Sequence, residues 1–466
     1  MKYNKKIIHV LCLVCAMFLS LISYLVYFEL FLSEDTIKNS YNRRLFEREN
    51  EILRGDITDI NGVVLAKSEF QDGRQKRVYP FSNLYAHVIG YNSKTYGKSQ
   101  LELRYNDYLL GLDSLSAVAS ITDIFKNEEK KGADLRLTID HNLQKKAYNL
   151  MGNNNGALVA IDPQTGAVLA LVSKPDFNPN EDVLVNSWPD MADSESAPFL
   201  ARATMGLYPP GSTYKTIISA YALENNMDEE IEDKGSINIG GKVFSNSNKK
   251  SYGKIGLKKA FSVSSNVYFA ILAEKIGEEG IKEISKNFLI GEEIPFDLKV
   301  EKSRFNYGKM EAVDLASVGI GQGKLMVTPF QMALVAASVA NDGILMRPYL
   351  LESATLKNGF TLYNARPTVL KTVMDKAVAG KLCDLMRDVI QNGTGKSAKI
   401  AGLDVYGKTG TAENEQKKDH AWFIGFCDNG SKKIAVCVIL EYNKKSGGEV
   451  CAPIAREFFK EWDKYY

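Results

Sequence analysis

The stretch "IIHVLCLVCAMFLSLISYLVYF", residues 7–28, runs for 22 residues without an Asp, Glu, Lys or Arg. As a helix rising about 1.5 Å per residue it spans roughly 33 Å, enough for a bilayer core of about 30 Å. A secretory signal has a shorter apolar core, about 7 to 15 residues, and a small-residue cleavage site. No A-x-A pattern precedes Glu29, so an uncleaved anchor is expected. Lys2, Lys5 and Lys6 lie before it, whereas Glu29, Glu34 and Asp35 follow. The positive-inside rule then puts the N-terminal tip in the cytoplasm and everything after the anchor on the other side of the membrane. Residues 1–32 form this tip and anchor.

The remainder of a 466-residue chain with 45% hydrophobic residues can bury more than one core, and two folded units are expected. Lys and Arg total 58 against 56 Asp and Glu, with no basic block, which argues against a nucleic-acid partner. Cys12 and Cys15 lie in the anchor, and Cys383, Cys427, Cys437 and Cys451 are scattered without a C-x-x-C pair. They read as small buried hydrophobes rather than a disulfide framework. His9, His87, His141 and His420 lack metal-ligand spacing, so neither a metal nor another cofactor is expected.

After the anchor, a helical stalk is expected to end near Arg54-Gly55, followed by a hairpin turning at Asn61-Gly62. A small strand-containing unit, residues 33–150, continues to a charged loop, "KNEEKKGAD", and "LRLTIDHNLQKKAYNLM". The larger unit, 151–466, opens with "GALVAIDPQTGAVLALVSK", two apolar alternating runs joined by a turn. Helices fill its middle, among them "TPFQMALVAASVAN", whose Thr-Pro pair suits a helix start. "VYGKTGTAE", "HAWFIGFCD" and "KKIAVCVILEYN" then read as strands, and "CAPIAREFFKEWDKYY" as a closing helix. This order fits an α+β fold in which helices flank an antiparallel sheet.

Three S-x-x-K matches occur, and about two are expected by chance in a chain this long. Ser247 to Lys250 and Ser251 to Lys254 fall in a polar loop. Ser212 and Lys215 differ, because "YPPG" ends just before them and "TIISAYAL" continues as a buried helix. Residues three apart on a helix share a face with Cβ atoms about 5–6 Å apart, so hydroxyl and amine can meet. A serine hydroxyl needs a base, and a lysine serves when burial or a second cation makes it neutral. On this stretch alone, a helix N-cap is the favoured reading of Ser212. Ser264-Ser265-Asn266 stands at a junction between two helical runs, and Lys408-Thr409-Gly410-Thr411 on a strand. Each motif is weak by itself, and the ordered set of three is informative.

This set resembles that of the penicillin-binding proteins and serine β-lactamases. The wider sequence is similar to class B penicillin-binding proteins, monofunctional peptidoglycan D,D-transpeptidases, through "RGDITDINGVVLA", "LTIDHNLQ", "AIDPQTGAVLALVSKPDFNPN", "YPPGSTYK", "SSN", "GIGQGKLMVTPFQMA", "GKTGTAE" and "HAWFIGF". Ile60 departs from the arginine usual before Asn-Gly, and Gln100 from the usual glycine. The resemblance implies a β-lactamase/transpeptidase-like domain over 151–466 and a dimerisation-type pedestal over 33–150. It also implies Ser212 as nucleophile, Lys215 as its base, Ser264 as proton relay and Asn266 as holder of the donor peptide. Lys408 would add positive potential, and Thr409 and Thr411, with Gly410 between them, would bind the substrate carboxylate. Backbone N–H groups of Ser212 and Thr411 would form the oxyanion hole. Gly321, Gln322 and Gly323 are expected to shape a loop near the cleft, and His420 and Trp422 to be structural.

The implied activity is cross-linking of D-Ala-D-Ala stem peptides to an amine acceptor through an acyl-enzyme, with β-lactams acylating the same serine. A D,D-carboxypeptidase or serine β-lactamase would use the same residues, and a non-catalytic cell-wall scaffold or β-lactam sensor is a reading of another class. The stretch 33–150 is too short for a glycosyltransferase domain, so a separate polytopic membrane glycosyltransferase is the expected partner.

Overall fold

The computed structural model describes residues 5–27, 52–71, 74–113, 116, 130–412 and 419–466. Lys5–Tyr27 form one helix, of which Ile7–Leu25 is long and apolar enough to cross a membrane, with a mean hydropathy of 2.4. Its described apolar side chains are exposed, as a lipid-facing helix requires.

The larger unit is built on a five-stranded sheet whose spatial order is Asp404–Ala412, His420–Asp428, Lys433–Leu440, Gly156–Ile161 and Val168–Lys174. Every neighbouring pair is antiparallel. The opening hairpin, 156–174, therefore completes a sheet whose other three strands lie beyond residue 403. Its strands are apolar on both faces because both faces are covered. Along the central strands successive side chains enter opposite cores. Ala157, Val159, Trp422, Ile424, Cys437 and Ile439 enter one core, and Leu158, Ala160, Ala421, Phe423, Val436 and Val438 the other. Pro329–Ala340 covers the first face with all of its residues buried. Thr328 caps it by accepting from the Gln331 N–H at 3.1 Å, and Pro329 needs no donor in the first turn. The closing helix, Gly447–Trp462, and His141–Met151 cover the other face. The boundary expected at residue 150 falls within this last helix.

The pedestal is a six-stranded sheet ordered Thr361–Asn364, Leu351–Thr355, Asp134–Leu137, Ile57–Thr58, Val64–Gln71 and Arg74–Val78. Two of its strands come from the second half of the chain, which ties pedestal and larger unit by backbone hydrogen bonds. The expected turn at Asn61-Gly62 is present: Gly62 has φ +85°, and the Asp59 carboxylate accepts from the N–H groups of Asn61 and Val63. Gln100, standing where glycine is usual, does adopt a left-handed φ of +50°. A side chain there costs about 1 to 2 kcal/mol relative to glycine. The carbonyl of Ile60, the other departure, accepts from Arg136 Nε at 2.9 Å.

One expectation is corrected. The stalk does not reach Arg54-Gly55 as a helix: residues 52–55 are irregular, and Leu53 forms a parallel bridge with Lys131. A Cβ on Gly55 would lie 1.9 Å from the Ala133 carbonyl oxygen, so this segment is pressed against another backbone. The rest of the expected stalk, 33–51, lies outside the described residues, as do residues 126–129 of the charged loop.

Arg54, Arg77 and Glu102 are buried together in the pedestal. Glu102 accepts from Arg54 Nε at 2.6 Å and Arg77 Nε at 2.7 Å, and Tyr79 adds a hydroxyl at 3.2 Å. Burial alone would push the Glu102 carboxyl up, but the two guanidiniums outweigh it and hold the pKa below the usual carboxylate value. The triad's stabilisation is thus present above the unfolded pKa of about 4.3 and fades as pH falls through the lower folded value. Glu102→Gln would leave two buried cations without a counter-charge. We expect it to destabilise the pedestal by about 3–5 kcal/mol in urea unfolding, and a wild-type midpoint would contradict the pairing.

Candidate active site

Pro209-Pro210-Gly211 turns the chain sharply into a short 3-10 turn, Gly211–Tyr214, which leads straight into the helix Lys215–Glu224. Gly211 has φ +53°, and a Cβ there would sit 2.7 Å from the Thr411 carbonyl oxygen. Its N–H donates to the Gly321 carbonyl at 2.9 Å, and a Cβ on Gly321 would lie 1.9 Å from Gly211 O. Gly410 likewise leaves room for Thr213, whose Cγ2 would be 2.9 Å from an added Cβ. The Ser212 turn is thus wedged between the Lys408 strand and the Gly321-Gln322-Gly323 loop, and glycine is needed at each close approach. The loop lies beside the turn, as expected.

Ser212 is half-buried. The N-cap reading does not hold: the cap residue of the turn is Pro210, and no side chain caps it. Among the described residues the Ser212 hydroxyl makes no hydrogen bond, so it is not engaged with Lys215 in this state. The Lys215 ammonium nitrogen is fully buried and is held instead by the second motif. It lies 2.9 Å from Ser264 O, 3.4 Å from Ser264 Oγ and 2.7 Å from Asn266 Oδ1.

Ser264 occupies the corner between helices Leu257–Val263 and Asn266–Asn287, with a left-handed φ of +60°. A serine in that conformation is uncommon, and it aims both its carbonyl and its hydroxyl at the lysines. Ser265 caps the second helix by accepting from the Tyr268 N–H at 3.0 Å. Lys408, also fully buried, donates to Ser264 Oγ at 2.9 Å and to Thr409 O at 2.9 Å. The Ser264 hydroxyl therefore stands between two lysines from opposite ends of the domain. Phe269 lies under Lys215 at 5.3 Å, and Phe261 under Lys408 at 5.5 Å.

Burial pushes the Lys215 pKa well below its usual range, the neighbouring Lys408 lowers it further, and Asp233 partly opposes both. Burial lowers Lys408 to about 7. A dry pocket with two amines favours one proton shared between them over two, which leaves a neutral amine near neutral pH. Thr409 is buried, and its hydroxyl is paired with that of Thr394 at 2.6 Å, whereas Thr411 is exposed. The Lys408 strand is the edge of its sheet, so alternate backbone donors point away from the neighbouring strand toward the cleft. His420 and Trp422 pack around Tyr208 at 5.3 and 6.1 Å. The two other S-x-x-K matches lie apart: Lys254 pairs with Glu230 at the surface, and Lys250 lies over Tyr252.

Asp233, Asn246 and Thr394 were missed in the sequence, yet each touches a motif residue. Asn246 accepts from the Asn266 N–H at 2.7 Å, and Asp233 from the Ser265 hydroxyl at 2.6 Å. Asn246 sits in the polar loop that holds the discarded S-x-x-K matches, and nothing local distinguishes it there.

Comparison with known proteins accords with this geometry. The family profile described as the penicillin binding protein transpeptidase domain matches residues 156–460, and that of the penicillin binding protein A dimerisation domain matches 54–135. The peptidoglycan D,D-transpeptidase PbpA of Mycolicibacterium smegmatis is 33% identical over 447 residues, covering 89% of this chain and 90% of that protein. The peptidoglycan D,D-transpeptidase MrdA of Acinetobacter baumannii is 31% identical, over 89% of this chain and 71% of that one. Penicillin-binding protein A of Mycobacterium tuberculosis, solved as an imipenem acyl-enzyme, superposes with a TM-score of 0.84 at 30% identity, covering 89% and 99% of the two chains. The chain belongs to the penicillin-binding protein transpeptidase family.

Proposed function

We propose that the protein is a peptidoglycan D,D-transpeptidase that joins stem peptides through an acyl-enzyme and is acylated by β-lactams at the same serine. The observation that carries this reading is the meeting of Lys215 and Lys408 on the Ser264 hydroxyl, beside the turn that presents Ser212. Ser212 Oγ attacks the carbonyl carbon between the two terminal D-alanines, and neutral Lys215 takes the hydroxyl proton. The N–H groups of Ser212 and Thr411 hold the developing oxyanion, where losing one donor costs about 10² to 10³ in rate. The Ser264 hydroxyl gives its proton to the departing D-alanine amine and recovers one from Lys215. Asn266 holds the donor amide, and Lys408, Thr409 and Thr411 receive the terminal carboxylate. An acceptor amine then attacks the ester, its proton returns through Ser264 and Lys215 to Ser212 Oγ, and the cross-link is released.

On this reading residues 1–32 are tip and anchor, 33–150 the pedestal and 151–466 the reacting unit, with the strands of 351–364 bracing the last two. The lysines before the anchor place the tip in the cytoplasm and the reaction outside it. Glycan strands come from a separate polytopic glycosyltransferase that docks on anchor and pedestal. Such an enzyme is expected to co-purify from membranes with the full chain, and equal recovery after the anchor is replaced by an unrelated one would count against docking there.

The acceptor separates transpeptidation from hydrolysis. With a D-Ala-D-Ala peptide and an added amine, we expect release of D-alanine together with the amine-ligated peptide. Hydrolysed peptide alone would indicate a carboxypeptidase, and fast turnover of penicillin a β-lactamase.

The lysines give the pH dependence. Lys215 must be neutral, so acylation rises as pH climbs through its depressed pKa. Lys408 must be charged, so the second-order acylation rate of the free enzyme falls above about 7. A profile flat from pH 6 to about 9 would contradict these roles.

A further inference from the structure

Asp233 is fully buried at the end of the short strand Ile231–Asp233. Its carboxylate receives the Gly235 N–H at 2.8 Å, the Asn246 amide at 2.8 Å on each oxygen, and the Ser265 hydroxyl at 2.6 Å. All of these groups donate, so the site fits a side chain that only accepts, an ionised aspartate. Among the described residues it makes no ion pair with a lysine or arginine. A buried charge satisfied only by neutral donors is expensive unless it acts on charges nearby.

Its neighbours point to what it acts on. Ser265 lies between Ser264 and Asn266, the two residues that hold the Lys215 nitrogen. Asn246, gripped by Asp233 through its amide, accepts from the N–H groups of Asn266 and Val267 with its oxygen. The Asn266 amide closes the circuit on the Ser245 carbonyl at 2.8 Å. We propose that Asp233 is a positioning residue of the reaction: through Ser265 and Asn246 it holds the Ser264–Asn266 corner against Lys215, and it sets a buried negative charge behind that corner.

The second half of this proposal follows from the charges around Lys215. Lys408 faces it from the edge strand and Asp233 from the far side of the corner, and these two act on it in opposite senses. Tyr252, which also feels Asp233, stays neutral at physiological pH. With Lys408 and burial alone, Lys215 would be a weaker base than with Asp233 in place. A general base works best with a pKa near the ambient pH, and Asp233 moves Lys215 in that direction.

This inference rests on the assignment of Lys215 as base, and the test separates the two. The second-order rate of acylation by a fluorescent penicillin is measured against pH for the detergent-extracted full chain. Asp233→Asn and Asp233→Ser both remove the charge, and thermal melting identifies the folded variant to be read. The rising limb is expected to move to lower pH, while the plateau rate drops several-fold. Asp233→Glu is expected to restore the limb to the wild-type pH. Ser265→Ala, which keeps the carboxylate, is expected to slow acylation without moving the limb. A folded neutral variant whose limb stays at the wild-type pH overturns the proposal. A wild-type protein that lacks the limb altogether overturns the role of Lys215 instead.

Discussion

Two buried lysines share one serine hydroxyl, and the rest of the domain is arranged so that they can. An ammonium group buried without partners is too costly to keep, so each lysine must lose its proton or find acceptors. Lys215 finds the Ser264 carbonyl and the Asn266 amide oxygen, and Lys408 finds Ser264 Oγ and the Thr409 carbonyl. Those contacts bind a helix start, a corner between two helices and a sheet edge to one another. The left-handed Ser264 is affordable only because both neighbours hold it. Folding and chemistry are coupled here, since the groups that satisfy the lysines in the resting protein are those that would move protons in the reaction.

The surrounding architecture limits how far this corner can drift. The Lys408 strand is registered against His420–Asp428 along its whole length, and that strand against Lys433–Leu440. Glycines at 211, 321 and 410 let three backbones approach closer than any side chain would allow, so the Ser212 turn has little room to shift. Farther out, the strands of 351–364 join the pedestal sheet, and the Arg54–Glu102–Arg77 triad closes that unit on itself. Continuous backbone hydrogen bonding therefore joins the pedestal sheet to the larger unit.

Much of this was legible in the sequence where the signal is local. Two apolar alternating runs marked the opening hairpin and short β-rich segments the three later strands, the Thr-Pro pair marked the start of the buried helix at Pro329, and the Pro-Pro-Gly turn marked Ser212 as special. What stayed hidden depends on partners far along the chain. Asp233 follows a run of acidic residues and looks like the edge of a solvated face, yet it is buried by contacts to residues 235, 246 and 265. Thr394 gains its meaning only from Thr409. The expected stalk overran into Arg54 because helical propensity cannot register a guanidinium that must be buried against Glu102. The direct Ser212–Lys215 contact suggested by i, i+3 spacing is absent, and the lysine meets Ser264 and Asn266 instead.

The most direct measurement is the location of the covalent bond. The purified protein would be incubated with penicillin, digested, and the peptides sequenced by mass spectrometry. A single penicilloyl adduct on Ser212 is the predicted result. An adduct on Ser264 or elsewhere, or an unmodified Ser212 after prolonged exposure, would contradict the account.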